Sequence, residues 1–112
     1  MIKLNGNEVE IGTFPNGECN YSKDSIIVNE YKPNEVEFRF ENNGSLMDLY
    51  FIMQHIRKNK GQYNDTNLRI SYMPYSRMDR DNDDYLYTLD YLKDFFKTFG
   101  QITVTVVEPH SE

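Results

Sequence analysis

Between Glu35 and Phe40 the chain reads EVEFRF, with Val36, Phe38 and Phe40 alternating against Glu35, Glu37 and Arg39. A period of two puts the apolar residues on one side of an extended strand and leaves the other side wet. After the loop Glu41 to Ser45 the period changes. Leu46, Leu49, Met53 and Ile56 recur at helical spacing, with Tyr50 widening the stripe, which predicts an amphipathic helix. Ser45 is placed as its N-cap, with Asp48 where a capping-box acid would sit. Arg57, Lys58 and Lys60 favour the negative end of the helix dipole, and Gly61 can stop the helix. Leu68 to Met73 (LRISYM) predicts a strand that Pro74 ends, because proline has no amide proton for a ladder. Leu86, Leu89, Leu92, Phe96 and Phe99 form a second helical stripe, preceded by Asp83 and Asp84 and closed by Gly100. Ile102 to Val107 (ITVTVV) is the last strand, broken by Pro109.

The first forty residues read as short β segments. Gly6-Asn7 and Asn16-Gly17 are turn dipeptides, Ser25 to Asn29 (SIIVN) is a strand candidate, and Lys32-Pro33-Asn34 turns the chain into the next strand. From residue 46 the order is helix, strand, helix, strand. That order predicts an α/β fold: a mostly parallel sheet with crossover helices, preceded by an antiparallel edge. In such sheets ligands gather at the carboxyl ends of the strands. The loops there would be PYSRMDRD and EPHSE. If their strands are neighbours, Arg77, Arg80 and His110 face one crevice.

Composition narrows the function. The chain has 112 residues, enough for a single domain of ordinary size. Its core is modest, and nine Tyr and seven Phe enlarge it. A net charge of −6 argues against nucleic acid as a partner, since general nucleic-acid binding needs a basic surface. Cys19 is the sole cysteine and suits a reducing compartment. The N-terminus lacks the apolar core of a signal peptide, and no run reaches the length of a membrane span, so a cytoplasmic protein without a membrane partner is expected.

The candidate chemistry is anionic. Arg77 and Arg80 carry guanidinium forks suited to phosphate oxygens, with Asp79 between them as an orienting partner. The alternative is a surface ion-pair cluster in which they answer Asp79, Asp81, Asp83 and Asp84. His110, beside Glu108 in chain order apart from Pro109, is a metal or phosphate ligand or a solvated histidine. Phe14 to Glu18 (FPNGE) is a hairpin tip whose ring can stack on a base and whose carboxylate can accept from an exocyclic amine, or a plain turn. His55 is expected to be structural.

Four of these segments together resemble the ribose-phosphate pyrophosphokinases. Pro74-Tyr75-Ser76-Arg77-Met78-Asp79-Arg80 is similar to that family's P-Y-[AGS]-R-Q-D-R, and Phe14-Pro15-Asn16-Gly17-Glu18 to its F-x-[DN]-G-E hairpin. Asn43 to Tyr50 (NGSLMDLY) is similar to its helix opening N-x-x-L-M-E-L-L, and Glu108-Pro109-His110-Ser111 to its D-x-H-[SA]. The resemblance implies a three-layer α/β/α domain of the phosphoribosyltransferase type with a β-hairpin flag. It implies that residues 1–112 correspond to the N-terminal, ATP-side domain. The implied reaction moves the diphosphoryl group of ATP, with Mg2+, to ribose 5-phosphate in a homo-oligomer. Arg77, Asp79 and Arg80 would then hold the ATP phosphates, Phe14, Asn16 and Glu18 the adenine, and His110 the metal or phosphates. Departures stand beside it. Met78 replaces the family glutamine and Glu108 the aspartate, and only a short connection fits between Leu4 and Phe14 where the family has a long helix. The second domain, with its catalytic lysine loop and ribose 5-phosphate loop, is not in these residues, so the chain alone is expected to be inactive. Two rival readings remain: a non-catalytic regulatory or oligomerisation module of the same fold, and an unrelated α/β protein whose acidic surface docks a basic partner.

Overall fold

The computed structural model describes residues 1–61, 65–71, 74–75 and 88–107. The chain opens with a tight hairpin, β1 (Ile2–Leu4) and β2 (Asn7–Glu8). Its turn is Asn5-Gly6, one residue earlier than the dipeptide expected. Both residues have positive φ, 51° and 88°, as a two-residue turn matched to strand twist requires. A second hairpin, β3 (Ile11–Thr13) and β4 (Cys19–Tyr21), forms a separate two-stranded sheet. Then come β5 (Asn34–Arg39), α1 (Asn43–Asn59), β6 (Thr66–Ser71), α2 (Thr88–Lys97) and β7 (Thr103–Val107).

The main sheet has the order β2-β1-β5-β6-β7. β1 is antiparallel to both neighbours, and β5, β6 and β7 run parallel. The fold is therefore mixed α/β with an antiparallel edge, as the element order implies. Register places Val36 beside Leu68 and Phe38 beside Ile70, while Ile2 opposes Phe38 and Leu4 opposes Val36. All six of these side chains are buried. They meet Leu49, Ile52, Met53 and Ile56 of α1 and Leu92 and Phe96 of α2 in one core. A fully buried side chain of this size contributes about 1.5–3 kcal/mol before chain entropy is counted.

Both helices lie on the same side. Two crossovers that advance in one direction along the sheet, each right-handed, put their helices on one face. The contacts agree: Tyr50 of α1 stacks near Phe95 and Phe99, at 6.3 and 6.4 Å between ring centroids, and Gln54 and Arg57 donate to the Thr98 carbonyl. The opposite face carries Glu35, Glu37, Arg39 and Arg69, all exposed. Among the described residues the domain has two layers. No helix long and apolar enough to cross a membrane occurs among them.

Three local expectations change. Ser25 to Asn29 is not a strand: a 3-10 turn (Lys23–Ser25) leads into irregular chain. Side-chain amides take the place of a ladder there. The Asn34 side chain, fully buried, accepts from the Asn29 backbone N–H at 2.7 Å and donates to the Asn29 carbonyl at 3.1 Å. Asn5 Nδ2 donates to Asn34 Oδ1 and to the Ile27 carbonyl, and Asn5 Oδ1 accepts from the Glu35 N–H at 2.8 Å. Second, the N-cap of α1 is Asn42, not Ser45. Asn42 Oδ1 accepts from the Ser45 N–H, and Ser45 Oγ accepts from the Asn42 N–H, a reciprocal box with serine in the third helical position. Third, β6 begins at Thr66, two residues before the expected Leu68, while its expected end at Met73 lies outside the described residues. The start expected for the second helix, near Asp83, lies outside the described residues.

Replacing Asn34 with leucine keeps the branched outline of the side chain and leaves the Asn29 and Asn5 polar groups without that partner. Each orphaned buried group costs about 1–3 kcal/mol, so Asn34→Leu should lower unfolding free energy by about 2–4 kcal/mol, read from the urea midpoint.

Candidate functional site at the start of α1

β5 delivers the chain to its carboxyl edge at Arg39, and the capping box at Asn42 and Ser45 starts α1 there. Two other segments meet this first turn. One is the short piece after β6. Pro74 is buried, and Tyr75 stacks against Phe40 with ring centroids 6.0 Å apart. The Tyr75 hydroxyl donates to Asn43 Oδ1, in the first helical residue. Tyr75 also holds a φ of 64°, a left-handed conformation that a bulky residue adopts at a cost. The ring packing and the Asn43 bond are what oppose that cost.

The other segment is the tip of the β3–β4 hairpin. Phe14 N–H donates to the Glu18 carbonyl at 2.7 Å, and Gly17 N–H to the Phe14 carbonyl at 2.8 Å. Asn16 Oδ1 accepts from the Glu18 N–H at 3.0 Å, so the asparagine side chain closes the turn. Gly17 supplies the positive φ of 93° at the tip. Phe14 is 49% exposed. Among the described residues the Glu18 carboxylate has no hydrogen-bond or ion-pair partner.

The hairpin leans on α1 through one polar contact. Tyr21 donates its hydroxyl to Asp48 Oδ1 at 2.6 Å, and its ring lies 5.9 Å from that of Phe51. Asp48 is free for this because Ser45, and not Asp48, completes the capping box. Burial, reinforced by the hydrogen bond to Asp48, by the charge of Asp48 and by Cys19, holds the Tyr21 phenol above its ordinary range. Between hairpin and helix is a hollow of about 440 Å³ lined by Phe14, Glu18, Met47, Asp48 and Phe51 among others. It offers flat apolar walls and two carboxylates. That combination suits a planar, amine-bearing ring or an apolar side chain.

Of the residues singled out from the sequence, Phe14 and Glu18 line this hollow. Asn16 is spent on the turn and is exposed. Arg77, Asp79, Arg80 and His110 lie outside the described residues, as do Met78 and Glu108. What the described residues do fix is where those segments leave the sheet. Ser71 pairs with Val107 in parallel register, so the chain departs from β6 and β7 at one edge, the edge where α1 begins. His55, expected to be structural, is exposed beside the Asn59 amide. Among the described residues no three His, Cys, Asp or Glu side chains gather as a metal site.

Tyr21–Asp48 and Tyr75–Asn43 escaped the sequence reading. They join residues 27 and 32 positions apart, and no local pattern marks either pair. No protein-family model matches the chain, and no curated protein matches it in sequence.

Two expectations follow. Since the folded state raises the Tyr21 pKa, the stability it contributes is complete below the unfolded tyrosine value of about 10 and is lost as pH climbs above it. The stability gap between wild type and Tyr21→Phe should therefore hold to about pH 9 and narrow above about pH 10, measured by urea unfolding. A double-mutant cycle of Tyr75→Phe and Asn43→Ala should return a coupling of about 1 kcal/mol.

Proposed function

We propose that this chain is the ATP-side domain of a ribose-phosphate pyrophosphokinase. The observation that carries the reading is convergence. Three segments that resemble that family, Phe14 to Glu18, Asn43 to Tyr50, and the segment opening at Pro74-Tyr75, meet at the first turns of α1. The fourth, Glu108 to Ser111, follows β7 from the same edge of the sheet. Parallel pairing alone brings the ends of β5, β6 and β7 to that edge, and the lean of the Phe14 to Glu18 hairpin onto α1 is the part the sheet does not impose.

On this reading the work of the domain is positioning and charge neutralisation, which dominate phosphoryl-transfer chemistry. Arg77 and Arg80 grip the ATP phosphates with bidentate donors, and Asp79 orients them. Phe14 stacks on the adenine and Glu18 accepts from its amine, while Asn16 holds the tip in shape. His110 contacts the phosphates or the metal. Mg2+ would arrive on the nucleotide's own oxygens, as that ion commonly does. The ribose 5-phosphate side and the catalytic lysine loop belong to a second domain, so transfer needs that domain. The reading also carries a cytoplasmic location and a three-layer arrangement. Its second helical layer would have to cover the sheet face that bears Glu35, Glu37 and Arg69.

A non-catalytic module of the same fold is the second reading. The half-exposed apolar surface of Phe14, Met47 and Phe51 favours it.

Titration with Mg-ATP separates the two. Wild type should bind, and the Arg77→Ala, Arg80→Ala double variant should lose roughly 2–5 kcal/mol of binding free energy. Ribose 5-phosphate-dependent AMP release by the chain alone should be absent. Equal nucleotide binding by wild type and double variant would defeat the enzyme reading.

A further inference from the structure

The β3–β4 hairpin is a lever with one polar fixing point. It forms a sheet of its own and shares no ladder with the other five strands. A two-stranded hairpin is marginal in water by itself, so its posture depends on what it touches. Its tip is braced internally by the bonds from Phe14 to Glu18, from Gly17 to Phe14 and from Glu18 to the Asn16 side chain, and it moves as one piece. Toward the rest of the domain, among the described residues, residues 11–21 make a single hydrogen bond, from the Tyr21 hydroxyl to Asp48 Oδ1 at 2.6 Å.

Tyr21 is also where the surrounding surfaces meet. It pairs with Ile11 across the hairpin, packs with it against the core, and holds its ring 5.9 Å from that of Phe51. It lines the hollow beneath the hairpin tip and two hollows that adjoin it. Phe14 follows Ile11 by three residues on one arm, and Glu18 precedes Tyr21 by three on the other. At an extended rise per residue, the tip stands about 10 Å from the Tyr21 contact. A swing of about 10° around that contact carries the tip about 2 Å, enough to take a ring off its stack and a carboxylate out of hydrogen-bond range.

We infer that Tyr21 is a positioning residue: by holding Asp48 it fixes the angle of the hairpin on α1, and with it the places of Phe14 and Glu18 over the hollow. The inference rests on the reading that this hollow takes the nucleotide base. It adds that the base is gripped only as firmly as Tyr21 holds the hairpin, while the phosphate end of the ligand is indifferent to that hold. Asp48 serves here as an acceptor and not as a charge, so an amide oxygen in its place can accept the same bond.

The test compares Mg-ATP with the magnesium complex of ribose 5-triphosphate, which has the sugar and phosphates but no base, in calorimetric titrations of the 112-residue chain. Wild type should bind Mg-ATP the more tightly. Tyr21→Phe should weaken Mg-ATP about ten-fold, the size of one charge-assisted hydrogen bond, and leave ribose 5-triphosphate unchanged. Asp48→Asn should stay close to wild type with both ligands. Amide exchange should quicken across residues 11–21 in Tyr21→Phe, while β5 and α1 keep their protection. A wild type that gains nothing from the base, or binds neither ligand, would remove the base reading and this inference with it. Where wild type does prefer Mg-ATP, the inference alone is overturned by equal Mg-ATP affinity in Tyr21→Phe, by an equal loss for both ligands, or by unchanged exchange in the hairpin. A loss in Asp48→Asn as large as that in Tyr21→Phe would overturn it too, because the carboxylate's charge would then be acting on the base directly.

Discussion

Val36 and Phe38 on β5, Leu68 and Ile70 on β6, and Ile2 and Leu4 on β1 point to the same side of the sheet. Their alternates, such as Glu37, Arg39 and Arg69, point to water. Strand pairing allows no compromise here, because a slip of one residue would expose the whole apolar set. With one face to bury, both helices crowd onto it and touch each other through Tyr50, Phe95 and Phe99. That crowding has two results. It brings the end of β5, the start of α1 and the segment at Tyr75 to one edge. It also leaves α1 with a second side that neither the sheet nor α2 covers, and the hairpin settles there.

The hairpin's place depends on few polar contacts. Tyr21 and Asp48 tie it to the helix, and Ser25 Oγ accepts from the Glu10 N–H near its base. The irregular chain that follows is held by Asn5 and Asn34, whose amides replace the ladder that this stretch lacks. Polar side chains thus fix the regions where backbone pairing runs out, and the apolar core fixes the rest.

This division explains what could be read from the sequence. Alternation in Glu35 to Phe40 and the stripe from Leu46 to Ile56 are local patterns, and β5 and α1 lie where they indicate. The parallel order followed from helices and strands taking turns. The failures inside the first half of the chain are polar. Ser25 to Asn29 looks extended and apolar, but a buried amide at Asn34 claims its backbone, and Asn34 itself reads as a turn residue. Asn42 and Ser45 are both good caps, and only the reciprocal bond between them decides which one leads. The hairpin tip was legible as a turn, although its lean onto α1 was not, since Asp48 looked like a capping acid. Arg77, Arg80 and His110 were singled out by chemistry alone and lie outside the described residues.

Three asparagines precede glycine in this chain, at Asn5, Asn16 and Asn43. Glycine bares the next amide nitrogen, which can close on the asparagine side chain and turn it slowly into aspartate or its iso form; asparagine is accordingly among the thermolabile residues. Asn5 is tethered at both ends of its amide, and Asn43 sits inside a helix with Tyr75 on its oxygen. Asn16 has a single bond at an exposed tip. Ageing in storage would therefore begin at the hairpin, adding a negative charge between Phe14 and Glu18 while the core stays untouched.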